Sequence, residues 1–148
     1  GQAARRLARV PLAYGHGTYT PLDEAAALVV HALGIAHSAA PAAYGWAVDS
    51  RGRARAQALV ERRIRERLPF AYLTGRTWFA GLEFEVTPDV LVPRSPIAEL
   101  VERRFEPWVR PARVGRILDI GTGSGCIAVA CARAFPEARV EATDVSHA

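Results

Sequence analysis

The sequence predicts an α/β protein: a helical front part, a β-hairpin, and the opening of a glycine-loop βαβ unit. Three observations carry that prediction. Between residues 21 and 68, apolar residues recur at the three- and four-residue spacing of helices with one buried face. Between Thr77 and Val86 the pattern changes to alternation, the period of a strand. In Ile117-Leu118-Asp119-Ile120-Gly121-Thr122-Gly123-Ser124-Gly125-Cys126-Ile127-Ala128, an apolar run ends in an acid, a glycine turn follows, and a helical pattern begins. A second apolar run then ends in Asp144, which completes the order of a nucleotide-cofactor βαβ unit.

In the front part, Thr20 and Pro21 supply a cap and a first helical position. Asp23 and Glu24 stand in the first turn, where the helix dipole favours acids. Leu22, Ala26, Val29 and Leu33 form the expected apolar line, widened by Ala25, Leu28 and Ala32, and Gly34 is the stop. Residues 36–50 read as a connection. A second helix is predicted from Arg53 to Leu68, with Ala56, Val60 and Ile64 as its apolar line, pairs Glu61–Arg65 and Arg62–Glu66, and Pro69 as its end. Two glycines around His16 read as a turn, and a histidine there is more readily structural than catalytic.

Leu82, Phe84 and Val86 alternate with Glu83 and Glu85, and Gly81 supplies the hairpin turn. Val90–Pro96 is an extended run that turns into a helix capped by Ser95, with Ile97, Leu100, Val101 and Phe105 as its stripe down to Pro107. Residues 108–115 form a loop before the first strand of the βαβ unit.

Composition sets the bounds. Half of the 148 residues are apolar, enough to bury a core. No apolar run approaches the roughly 18 residues of a membrane span, and no signal-peptide pattern is seen. Cys126 and Cys131 lie five apart on one predicted helix, which fits small packed side chains of a reduced, cytoplasmic protein better than a disulfide or a metal pair. No metal site is expected. All cations are arginine; eleven stand against five acids in residues 1–76, and eight against ten in residues 77–148. A basic front half fits an anionic partner such as RNA, or a solvated helix face. The chain opens on Gly1 without Met and stops shortly after Asp144, so a fragment of a longer protein is expected.

The glycine turn distinguishes among cofactors. A backbone that passes close to a ligand leaves no room for side chains. A P-loop needs a Lys-Ser/Thr pair where this chain has Cys126-Ile127, and a dinucleotide fingerprint needs Gly or Ala where this chain has Cys126. Asp119 followed by Gly121, Gly123 and Gly125 fits S-adenosylmethionine, with Asp144 placed to accept from both ribose hydroxyls.

The residues from Asp119 to Ala128 resemble the first motif of the protein-(glutamine-N(5)) methyltransferases. Ala71-Tyr72-Leu73-Thr74-Gly75, the Trp78–Phe84 hairpin and Val90-Leu91-Val92-Pro93-Arg94 match the same family. The release-factor branch continues Pro-Arg with Pro-Glu-Thr-Glu, whereas this chain has Ser95-Pro96-Ile97-Ala98-Glu99-Leu100. With Tyr14-Gly15-His16-Gly17-Thr18 and Asp23-Glu24-Ala25, it looks like the branch that modifies the large-subunit ribosomal protein numbered three. The resemblance implies a helical substrate-recognition domain (1–75), a hairpin linker (76–93) and the N-terminal part of a Rossmann-like methyltransferase domain (94–148). It implies methyl transfer from S-adenosylmethionine to a glutamine amide, with a ribosomal protein as partner and ribosomal RNA a further contact for the basic front half. Asp119, Gly121, Thr122, Gly123, Ser124, Gly125 and Asp144 carry over as cofactor contacts, joined by Leu91 and Arg94 from the extended run. The family's Asn-Pro-Pro-Tyr, which holds the amide, lies beyond the second strand, so no catalytic residue is expected here and the fragment itself is expected to be inactive. The alternatives are a release-factor methyltransferase and a binding module without catalysis.

Overall fold

The computed structural model describes residues 1–15, 17–36, 39–43 and 45–146. The chain divides into two units, Gly1–Thr74 and Gly75–Ala148. His16, considered above for chemistry, lies outside the described residues.

The front unit is built on two helices with side-chain caps. The Thr20 hydroxyl accepts from the Asp23 N–H at 3.1 Å at the start of α2 (Pro21–Ala32). An Asp49 carboxylate oxygen accepts from the Gly52 N–H at 2.6 Å and starts α4 (Ser50–Glu66). Helix α4 therefore begins three residues ahead of Arg53, because Asp49 supplies the cap. Its C-terminus is closed by Arg67 in the left-handed region, φ 56°. Short helices α1 (Gln2–Leu7), α3 (Ala40–Ala43) and α5 (Phe70–Thr74) complete the unit. Its core gathers Leu7, Ala25, Leu28, Val60 and Leu73.

Two features depart from the sequence reading. The buried face of α2 is Glu24, Ala25, Leu28 and Ala32, whereas Leu22 is 62% exposed. The helix is turned toward the narrower Ala25–Leu28–Ala32 side because Glu24 is drawn inward. There it meets Arg63, one of the eleven arginines of the basic front half. Arg63 is 2% exposed, and its Nε donates to Glu24 Oε1 at 2.5 Å. Of the expected pairs on α4, Arg62–Glu66 forms at 2.7 Å, while Glu61 meets Arg6 and Arg65 meets Glu66.

In the rear unit, β1 (Arg76–Phe79) and β2 (Leu82–Glu85) pair antiparallel, with Thr77 opposite Phe84. Ala80 and Gly81 both take positive φ (47° and 71°), which suits a two-residue hairpin. The hairpin lies within the second unit, since Phe79 joins Val101, Cys126, Ala130 and Cys131 in that core. Helix α6 (Ile97–Glu102) receives a Ser95 hydroxyl contact at the Ile97 N–H, 3.2 Å. It stops five residues before Pro107 because Arg104 and Phe105 turn left-handed, which sends Phe105 toward Phe135, 6.2 Å between ring centroids.

After a 3-10 turn at Pro111–Arg113 come β3 (Arg116–Ile120), α7 (Cys126–Ala134) and β4 (Arg139–Thr143). β3 and β4 pair in parallel, Ile117 with Val140 and Ile120 with Thr143. A parallel pair requires a crossover, and α7 supplies it. Ile117 and Val140 pack toward α7, while Leu118 and Ile120 leave an exposed apolar row on β3. Cys126 and Cys131 are buried free thiols, and burial raises both above the ordinary thiol range. No helix of the described residues is long and apolar enough to cross a membrane, and no metal-ligand cluster occurs among them.

Candidate cofactor site

The parallel register sets the site. Ile120 stands opposite Thr143, so the two strands end side by side and the loop after β3 turns over the end of β4. The Thr143 carbonyl accepts from two loop N–H groups, Gly121 at 2.8 Å and Thr122 at 3.1 Å. The Thr122 hydroxyl donates back to Asp119 Oδ2 at 2.7 Å, and Gly125 N–H closes the turn on the Thr122 carbonyl at 2.9 Å. Asp119 is thus an internal brace of the loop.

Gly121, Gly123 and Gly125 have φ of 73°, 53° and 74°, conformations that side chains rarely adopt. A Cβ built at any of the three would meet nothing within 4 Å. The glycines are therefore required by backbone conformation, and the space beside them is open. Gly125 caps α7 without a side chain, so the first N–H groups of that helix point into the same region with the positive end of its dipole. Ser124 contacts the Cys126 thiol, which opposes the upward push of burial on that group.

Asp144 stands immediately beyond β4. Its Oδ2 accepts from Gly123 N–H at 2.8 Å and its Oδ1 from Ser146 N–H at 2.9 Å. These bonds, Ser146 first and Gly123 next, hold the carboxyl below the ordinary carboxylate range. A carboxylate offers about four lone-pair sites, so these backbone donors leave it capacity for others.

The structure thus joins Asp119, Gly121, Thr122, Gly123, Gly125 and Asp144 in one bonded loop, with Ser124 at its helix end. Leu91, 72% exposed, and Arg94, also exposed, lie in the run ahead of α6, and neither hydrogen-bonds to the loop. The sequence reading missed the double acceptance by the Thr143 carbonyl. Its only sequence signal is that Thr143 immediately precedes Asp144.

Comparison with known proteins shows which proteins the chain is similar to. The chain is 49% identical over 142 residues to the ribosomal protein uL3 glutamine methyltransferase of Xanthomonas campestris, covering 95% of this chain and 46% of that protein. The proteins of the same name in Xylella fastidiosa and Bordetella pertussis are 48% and 47% identical over 144 and 145 residues, each match covering 97% of this chain. Those matches span 46% and 49% of the relatives. Over nearly all its length, the chain is homologous to ribosomal protein uL3 glutamine methyltransferases. It spans about half the length of these curated relatives. No protein-family model matches the chain. The relatives named here carry a ribosomal-protein activity in their names, and none of them a release-factor one.

Proposed function

We propose that this chain is part of a cytoplasmic enzyme that methylates a glutamine side-chain amide of ribosomal protein uL3, using S-adenosylmethionine. The observation that carries the reading is the 49% identity, across nearly the whole chain, to a uL3 glutamine methyltransferase. The rear unit is read as the beginning of a Rossmann-like domain: a parallel β3-α7-β4 unit whose loop borders open space. The exposed row of Leu118 and Ile120 fits a sheet face that further elements cover.

The residues present fit the cofactor. S-adenosylmethionine supplies a methyl group activated by its bond to a positively charged sulfur. Gly121, Gly123 and Gly125 let the backbone approach a ligand closely, and Asp144 keeps acceptor capacity for the ribose hydroxyls. Thr122 and Asp119 hold the loop shape, and Ser124 and Gly125 set the start of α7. Leu91 and Arg94 are proposed as flanking contacts from the extended run.

An amide nitrogen is a poor nucleophile, so the enzyme's task is to orient it and accept its hydrogens. These 148 residues contain no Asn, so the Asn-Pro-Pro-Tyr motif of the resembled family is not among them. The front unit, with ten arginines against five acids, is assigned to recognition of the substrate and nearby ribosomal RNA. Arg63 has no part in that surface, because it is spent on Glu24.

The test is tritiated methyl transfer by the full-length enzyme to purified uL3 and to a purified release factor. Label is expected on a uL3 glutamine. Label on the release factor alone overturns the reading.

A further inference from the structure

A cavity of 390 Å³ opens in the front unit, within the range of ligand-binding pockets. It lies between α1, α2, α4 and the segment around Trp46. Val29, Leu33 and Val60 are among its walls, and Leu22 and Trp46, each 62% exposed, flank it. Leu22 and Trp46 therefore extend the apolar lining of the groove out to the surface.

Charge narrows the occupant. Arg6 and Arg53 line the groove, and no Asp or Glu does among the described residues. Arg6 is paired with Glu61 at 3.2 Å. Arg53 donates to the Val48 carbonyl at 3.1 Å, which satisfies an N–H without neutralising the guanidinium. An apolar ligand with a carboxylate beside it complements this arrangement. A second copy meeting groove to groove would bring together two linings that carry arginines and no acid, and the mainly apolar walls suit a phosphate chain poorly.

We propose that this groove docks an apolar peptide segment of the protein substrate, with an acidic side chain of that segment set against Arg53. Trp46 and Leu22 are the anchors, in keeping with the weight that aromatic side chains carry at interfaces. The proposal rests on the uL3 reading for the identity of the substrate.

The test uses short overlapping peptides covering uL3, titrated against the full-length enzyme by fluorescence polarisation. Peptides that pair an apolar cluster with an acid are expected to bind. Trp46→Ala and Leu22→Ser, both at exposed positions, should each weaken binding by about 5-fold or more with unchanged circular dichroism. Arg53→Gln should weaken only peptides that keep their acid. In the full-length enzyme, Trp46→Ala should raise KM for uL3 by about 5-fold and leave kcat and cofactor affinity unchanged. No bound peptide, binding indifferent to Trp46→Ala, or a dimer dispersed by Trp46→Ala overturns the proposal. Peptide binding without methyl transfer by the wild type retains the groove and removes the proposed reaction. Methyl transfer with KM unaltered by Trp46→Ala removes the groove and retains the reaction.

Discussion

In the front unit, the turn that leads into α2 is held by side chains. Thr18 donates its hydroxyl to Glu24 at 2.9 Å, Arg63 bonds Glu24 and the Ala13 carbonyl, and the same guanidinium lies 5.9 Å from the centre of the Tyr14 ring. In the rear unit, the turn between β3 and α7 is held largely by backbone groups: the Thr143 carbonyl, the Thr122 carbonyl and the Gly123 N–H on Asp144. The first arrangement closes on itself. Glu24 and Arg63 have almost no surface left. The second leaves its glycines facing open space and its carboxylate in water. The two turns therefore differ in kind, one closed and buried and the other open, and the open one has the form that the proposed cofactor reading requires.

The sharpest way to break this contrast is to cut the clamp. Arg63→Ala strands a buried carboxylate, and loss of one partner of a buried pair costs about 3–5 kcal/mol. Urea denaturation followed by circular dichroism should show the loss, and a change under about 1 kcal/mol would mean that the pair is not structural. Removal of a loop glycine is a smaller change. Gly123→Ala adds a Cβ with open space around it, so its cost to folding should be only the roughly 1–2 kcal/mol of a left-handed alanine. Its effect on cofactor affinity should be the larger one if a ligand fills that space, and calorimetry with S-adenosylmethionine distinguishes the two. Smaller again is the cap of α4. Asp49→Ala should cost about 1 kcal/mol of stability in the same denaturation assay without altering cofactor affinity.

The same contrast explains what could be read in advance. The glycine loop was legible because its conformation depends on residues next to one another in sequence, and the positive φ at Gly121, Gly123 and Gly125 is a local requirement. The cap at Thr20 and the passage from the glycine turn into α7 were legible for the same reason. The clamp was not, because Glu24 and Arg63 are 39 residues apart and each sits in a helix whose pattern suggests a solvated charge. That distant pair also rotates α2, which is why Leu22, placed in the apolar line by spacing, faces the groove. Phe105 shows the converse case: its spacing fits α6, but packing against Phe135 wins over continuation of the helix. The glycines, Asp119 and Asp144 of the bonded loop could be named from the sequence, whereas the Thr143 carbonyl could not, and Leu91 and Arg94 rested on resemblance and have no hydrogen bond to the loop.

The pH dependence follows from Asp144. Its folded-state pKa is depressed, so the stability it contributes is present above the unfolded value and is lost as pH falls through the folded one. The loop should therefore hold its form at neutral pH and loosen only in acid, below the ordinary carboxylate range.

The central claim is that the loop and Asp144 receive S-adenosylmethionine, and calorimetric titration of the full-length enzyme with that cofactor tests it most directly. Asp144→Ala should weaken binding by about 10-fold or more, the equivalent of one charge-assisted hydrogen bond. Equal affinity in the wild type and the variant would contradict the account.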